Sequence, residues 1–196
     1  MSVIDRRRRE RAQRHDLIVA AARDLAEAEG WEAVTTRRLA QIVEYSQPVL
    51  YSHFEGKDAI VRAVAIEGFA ELADRMGQAQ LGVNEPRLTL RAVLGAYLTF
   101  ATERPGQYEA MFVQAIDVKF ASADTPPALK AAFGALVGAL APFGPNTDLR
   151  AELTWAALHG LAVLRRGGRI RPECQEARLD LLLSQIVNDH AGLQVH

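Results

Sequence analysis

Between Thr36 and Lys57 the chain gathers side chains suited to hydrogen bonding with a nucleic acid. Gln47 carries an amide that can pair with both N6 and N7 of adenine, and Arg37 carries a guanidinium that suits guanine or a phosphate. Val49 is apolar enough to meet a thymine methyl. Ser46, Tyr51, Ser52 and His53 are polar groups of the kind that hold phosphates, contacts that set register without reading sequence. Lys57 adds a cation at the end of the stretch. None of these residues is distinctive singly, and a solvated helical hairpin would use the same types. Their order and spacing are the signal.

Two short helices must hold such a set. Thr36 is expected to cap the first, with Leu39, Ile42 and Val43 on one apolar face. Glu44 and Tyr45 break that pattern. Ser46 is expected to cap the second helix, and Pro48 suits a first turn whose N–H has no intrahelical partner. Leu50 and Phe54, four apart, can pack back on the first helix. Two helices joined by a three- or four-residue turn form a helix-turn-helix, whose second helix enters the major groove of double-stranded DNA.

The remainder also reads as helix, and no alternating segment is long enough for a sheet, so an all-α fold is expected. The segments 58–80, 86–104, 105–112, 128–142, 148–166 and 172–189 carry helical periodicity. Gly167 is placed as the left-handed cap of the segment ending at Arg166. A division into a head, residues 1–57, and a larger helical domain, residues 58–196, follows.

Composition narrows the classes further. The net charge of -1 over 196 residues argues against indiscriminate DNA coating and for a local contact surface. The exception is Arg6, Arg7, Arg8, Arg9, Arg11 and Arg14, an arm that either lies on phosphates, enters a minor groove or is simply solvated. Cys174 is the single cysteine, which excludes an intramolecular disulfide and a cysteine metal site. The histidines are scattered, and neither a nucleophile elbow nor a phosphate-binding glycine loop is present, so no catalytic residue, cofactor or metal is expected. The most apolar stretch, 131–143, is shorter than the roughly 20 residues that cross a bilayer. A cytoplasmic protein without membrane contact is expected. An enzyme and a DNA-independent interaction module are the rival classes.

From Leu17 to Val64 the sequence resembles the TetR family of transcriptional regulators. Ile18, Ala21, Ala22, Leu25, Glu29, Gly30, Thr35, Thr36, Leu39 and Ala40 carry the resemblance, with Leu50-Tyr51-Ser52-His53-Phe54, Lys57, Asp58 and Ile60. It implies that Arg37 and Gln47 contact bases, and that Thr36, Tyr51, His53 and Lys57 contact phosphates. The turn departs from the family's Gly-Val-Ser and reads Glu44-Tyr45-Ser46. Glu44 is therefore expected to carry modest backbone strain. Trp155, His159 and Gly160 resemble the C-terminal domain of a Trp-His-Gly subgroup. The resemblance implies a repressor of a palindromic operator, released by a small and largely apolar effector, with a corepressor-dependent regulator or an activator as the alternative. Tyr97, Phe100, Tyr108, Met111, Phe112, Phe133, Trp155 and His159 are candidate lining residues, and any one of them alone reads as ordinary core. It also implies a homodimer through the last two helices. Leu153, Leu161, Leu179, Leu182, Leu183 and Ile186 are the candidate interface residues.

Overall fold

In the computed structural model, residues 3–114, 119 and 122–193 are described, with side chains from 4 to 188. Among them are nine α-helices and no strand. These are α1 (Val3–Glu29), α2 (Thr36–Ile42), α3 (Gln47–His53), α4 (Lys57–Ala79), α5 (Pro86–Glu103), α6 (Pro105–Phe112), α7 (Pro127–Leu140), α8 (Thr147–Arg166) and α9 (Gln175–Leu193).

The chain forms two compact units that interleave along the sequence. One holds residues 1–68 and 104–124, the other 69–103 and 125–196. Helix α6 belongs with α1 in the first of them.

In the first unit α1 buries Ile18, Val19, Ala22, Leu25 and Ala26, the stripe of a half-buried helix. Leu39, Val43, Leu50 and Phe54 complete the core around α2 and α3. Helix α6 docks on α1 through groups that satisfy its amino end. The Glu27 carboxylate accepts from the Gly106 and Gln107 backbone N–H, both at 2.9 Å. The Trp31 indole N–H donates to the Gly106 carbonyl at 2.8 Å. A Cβ on Gly106 would stand 2.8 Å from the Ala26 carbonyl carbon, so only glycine lets the backbones approach this closely.

In the second unit α5 is central and packs against α7, α8 and α9. It buries Leu90, Val93, Leu94, Tyr97, Leu98 and Phe100, so every turn contributes to the core. At the carboxyl end of α8 the left-handed residue is Gly168, φ 64°, not Gly167, φ −76°. Helix α8 ends at Arg166 as its pattern predicts, and Gly167 is the C-cap residue, so the left-handed position falls one residue later. Gly168 N–H then reaches the Arg165 carbonyl at 3.0 Å and Arg169 N–H the Leu164 carbonyl at 2.9 Å, the paired bonds of a Schellman ending.

Candidate nucleic-acid interface

Helices α2 and α3 are seven residues each. Thr35 rather than Thr36 caps α2, its hydroxyl accepting the Arg38 N–H at 3.2 Å. The cap falls one residue earlier because Thr36 already has helical geometry, which leaves its hydroxyl 3.5 Å from the Tyr51 hydroxyl on α3. Helix α2 closes with Tyr45 N–H on the Ala40 carbonyl, 3.0 Å, and Glu44 N–H on the Gln41 carbonyl, 3.4 Å. This is the Schellman pattern seen at Gly168, with a glutamate in the left-handed position at φ 56°. Ser46 is the N-cap residue of α3 but its hydroxyl makes no capping bond, and Pro48 sits in the first turn.

The outer face of this pair is polar. Arg37, Ser46, Gln47, Tyr51 and Ser52 are exposed, and Thr36, Val49 and His53 are half-buried. The Ser52 hydroxyl donates to the Val49 carbonyl at 2.7 Å. Lys57 is turned inward: its ammonium donates to the Trp31 carbonyl at 2.6 Å and ties α4 to the turn after α1. The sequence places it with the phosphate contacts.

The arginine arm is helical. Helix α1 begins at Val3, and Arg11 donates from Nη2 to the Ser52 carbonyl at 3.0 Å, closing the carboxyl end of α3. His15 stacks on Phe54 with ring centroids 4.7 Å apart. Partial burial, and after it the charges of Arg11, His15 and Arg14, hold the His53 imidazole below the ordinary histidine range. Positive charge is thus concentrated beside the end of α3, although the whole chain is nearly neutral.

The candidate effector residues fall into separate groups. Tyr108, Met111 and Phe112 lie on α6 in the first unit, with Tyr108 and Phe112 rings 4.7 Å apart. Tyr97, Phe100, Phe133, Trp155 and His159 belong to the second. There the Trp155 indole N–H donates to the Tyr97 hydroxyl at 3.2 Å, and Phe133 meets Trp155 edge-on at 6.4 Å. Phe100 is fully buried, with the Arg75 guanidinium 5.5 Å from its ring centroid. Burial lowers the pKa of His159. A cleft in the same unit, lined by Leu98, Leu161, Ile170, Arg165 and Arg178 among others, includes none of these aromatics.

The candidate interface residues divide as well. Leu179 and Leu183 are each 2% exposed and belong to the core of the second unit. Their stripe faces α5, where Leu179 lies against Gly95. Leu161, Leu182 and Ile186 are half-buried. Leu153 is 73% exposed and shares one face of α8 with exposed Leu149, Val163 and Leu164. Leu149 and Leu164 carry the same helical spacing as Leu153, and that spacing was the signal for them.

Residues 18–64 match the family described as bacterial regulatory proteins, tetR family. Residues 90–186 match the tetracyclin repressor-like C-terminal domain. The uncharacterized HTH-type transcriptional regulator YobS of Bacillus subtilis (strain 168) is 33% identical over 103 residues, 52% of this chain and 52% of that one. The match thus spans about half the length of that relative. A protein with unknown function from Rhodococcus sp. RHA1 superposes with a TM-score of 0.69 at 22% identity, covering 90% of this chain and 92% of that one. A TetR variant from Acinetobacter baumannii AYE in complex with minocycline gives 0.63 at 20% identity, covering 91% and 97%. At these identities the solved structures establish the fold alone.

Proposed function

The chain belongs to the TetR family of transcriptional regulators, DNA-binding proteins rather than enzymes, and from that premise we propose that it is a repressor that a small-molecule effector releases from a palindromic operator. The observation that carries the reading is the exposed pair Arg37 and Gln47 on a helix-turn-helix whose inner face is fully committed to the core. Gln47 at the start of α3 reads adenine, Arg37 reads guanine, and Val49 meets a thymine methyl. Thr36, Ser46, Tyr51, Ser52 and His53 hold phosphates. Lys57 joins them only if it leaves the Trp31 carbonyl.

A single short reading helix gains affinity and a longer site by pairing with a second copy. The exposed stripe Leu149, Leu153, Val163 and Leu164 on α8 supports a homodimer, because it leaves apolar surface uncovered in one chain. The two heads would then read half-sites one helical turn, about 34 Å, or a multiple of it apart.

Residues 1–57 act as the DNA-binding head and residues 58–196 as the effector-binding and dimerisation domain. The group around Trp155, with Tyr97, Phe133 and His159, supports an apolar effector site with a few polar anchors, as the Trp155-His159-Gly160 resemblance implies. The minocycline complex of the A. baumannii relative is a precedent for a small ligand in this fold. An effector acts only if it favours one arrangement of the heads over another. The docking of α6 on α1 through Glu27 and Trp31 offers a route into the head besides α4. Action on chromosomal DNA implies a cytoplasmic protein, and among the described residues no single helix is long and apolar enough to cross a membrane.

A gel shift with the DNA upstream of the protein's own coding region tests the reading. A complex that survives excess unrelated DNA is expected. A complex that unrelated DNA abolishes would reduce the association to electrostatics and end the proposal.

A further inference from the structure

We propose that the first four turns of α1 form a rigid phosphate clamp, in which Arg7, Arg8 and Arg14 hold the DNA backbone beside the segment that α3 reads. The inference rests on the DNA-binding reading and adds a second contact surface to it.

The geometry of α1 selects these arginines. At about 100° per residue, Arg7, Arg8, Arg11, Arg14 and His15 fall within an arc of roughly 120°. Two of the five are anchored on α3 or the residue that follows it: Arg11 binds the Ser52 carbonyl and His15 stacks on Phe54. The same face therefore borders the carboxyl end of α3, beside Ser52 and His53. Arg7 and Arg8 extend it one turn, about 5.4 Å, past Arg11. The remaining arginines point elsewhere and are engaged locally. Arg6 pairs with Glu10 at 3.6 Å, and Arg9 donates to the Asp5 carbonyl at 3.3 Å.

Electrostatics says what the face would take. Arg7, Arg8 and Arg14 are exposed and make no hydrogen bond or ion pair among the described residues. Each stands three or four residues from Arg11, a like-charge spacing that opposes folding. A polyanion in contact with the face relieves that repulsion. The polyanion is duplex DNA because the face continues the reading surface of α3. It is the backbone and not the minor groove, because a helix about 10–12 Å across does not enter a groove about 6 Å wide. Such contacts add affinity without sequence preference.

The test compares two arginine variants of the full chain on the upstream duplex and on a scrambled duplex of equal length, between 50 and 200 mM salt. Neutralising Arg7, Arg8 and Arg14 together to glutamine should reduce the slope of log K against log salt by about 2.7 for each bound subunit, at about 0.9 per phosphate. Over that range wild type should lose about 40-fold more affinity than the triple variant for each bound subunit, on both duplexes alike. Neutralising Arg6 and Arg9 to glutamine should reduce the slope by less than one phosphate's share. Equal reductions per charge in the two variants would show general attraction and overturn the clamp, as would an unchanged slope in the triple variant. A loss confined to the upstream duplex would also overturn it. Wild type that does not distinguish the two duplexes overturns the operator reading, whereas the contrast between the variants bears on the clamp alone.

Discussion

Replacing Glu44 with glycine should make the protein more stable and bind DNA more tightly, and the two gains have separate causes. Glu44 occupies the left-handed position of a Schellman ending at φ 56°, the place that Gly168 takes at φ 64° at the end of α8. The left-handed region costs a residue with a Cβ about 1–2 kcal/mol. Glycine forfeits part of that gain through a more flexible unfolded chain, by about 0.5–1 kcal/mol. A net stabilisation of about 0.5–1 kcal/mol remains, which for a chain of this size raises Tm by about 1–4 °C. Glu44→Gln separates the causes, since it removes the charge and keeps the Cβ. Both variants should bind the upstream duplex a few-fold more tightly at low salt, because a carboxylate in the turn before α3 repels phosphate. Only Glu44→Gly should melt higher. Thermal and urea unfolding at one fixed protein concentration read the stability, and titration of labelled duplex reads the affinity. Equal melting of the two variants, or no gain for glycine over wild type, would refute the assignment of strain to this turn.

Gly106→Ala should destabilise the protein by about 1–3 kcal/mol in urea unfolding, because its Cβ would meet the Ala26 and Glu27 backbone at 2.8–2.9 Å. Leu153→Glu should give a monomer in light scattering with an unchanged circular dichroism spectrum, whereas wild type gives twice the mass; a dimeric variant would remove the α8 stripe from the interface. His53 and His159 both hold their protons less readily folded than unfolded. Their contribution is intact above the unfolded value near 6.5 and is lost as pH falls through the lower folded values, so His159→Gln should flatten the fall in Tm below that pH.

Much of this was legible in the sequence. The apolar spacing of Leu39, Ile42 and Val43 with Leu50 and Phe54 specifies two short helices sharing one core, and all but Ile42, which is 49% exposed, are buried. The Pro-Gly step at 105–106 marks the start of α6, but nothing local reveals that α6 packs on α1 across 79 residues of chain through Glu27. That contact is tertiary, and only Gly106 hints at a close approach. Leu179 and Leu183 have the spacing of a half-buried stripe, which records that one face is covered and not whether the cover is the same chain or a second copy. Thr35 and Thr36 are equally good caps by type, so the choice rests on backbone geometry. The arginine run reads from its charge alone as an arm that either contacts DNA or is solvated. Its helical form, fixed by Arg11 and His15 on the end of α3, depends on contacts that periodicity does not contain.

The central claim is that α3 reads base sequence through Gln47. Its most direct test is the affinity of Gln47→Ala against wild type, measured on the upstream duplex and on a scrambled one at the same salt. A lost bidentate contact should cost about 1–3 kcal/mol on the upstream duplex, roughly 5- to 150-fold, with the scrambled duplex unaffected. Equal losses on both duplexes, or no loss on either, would contradict the account.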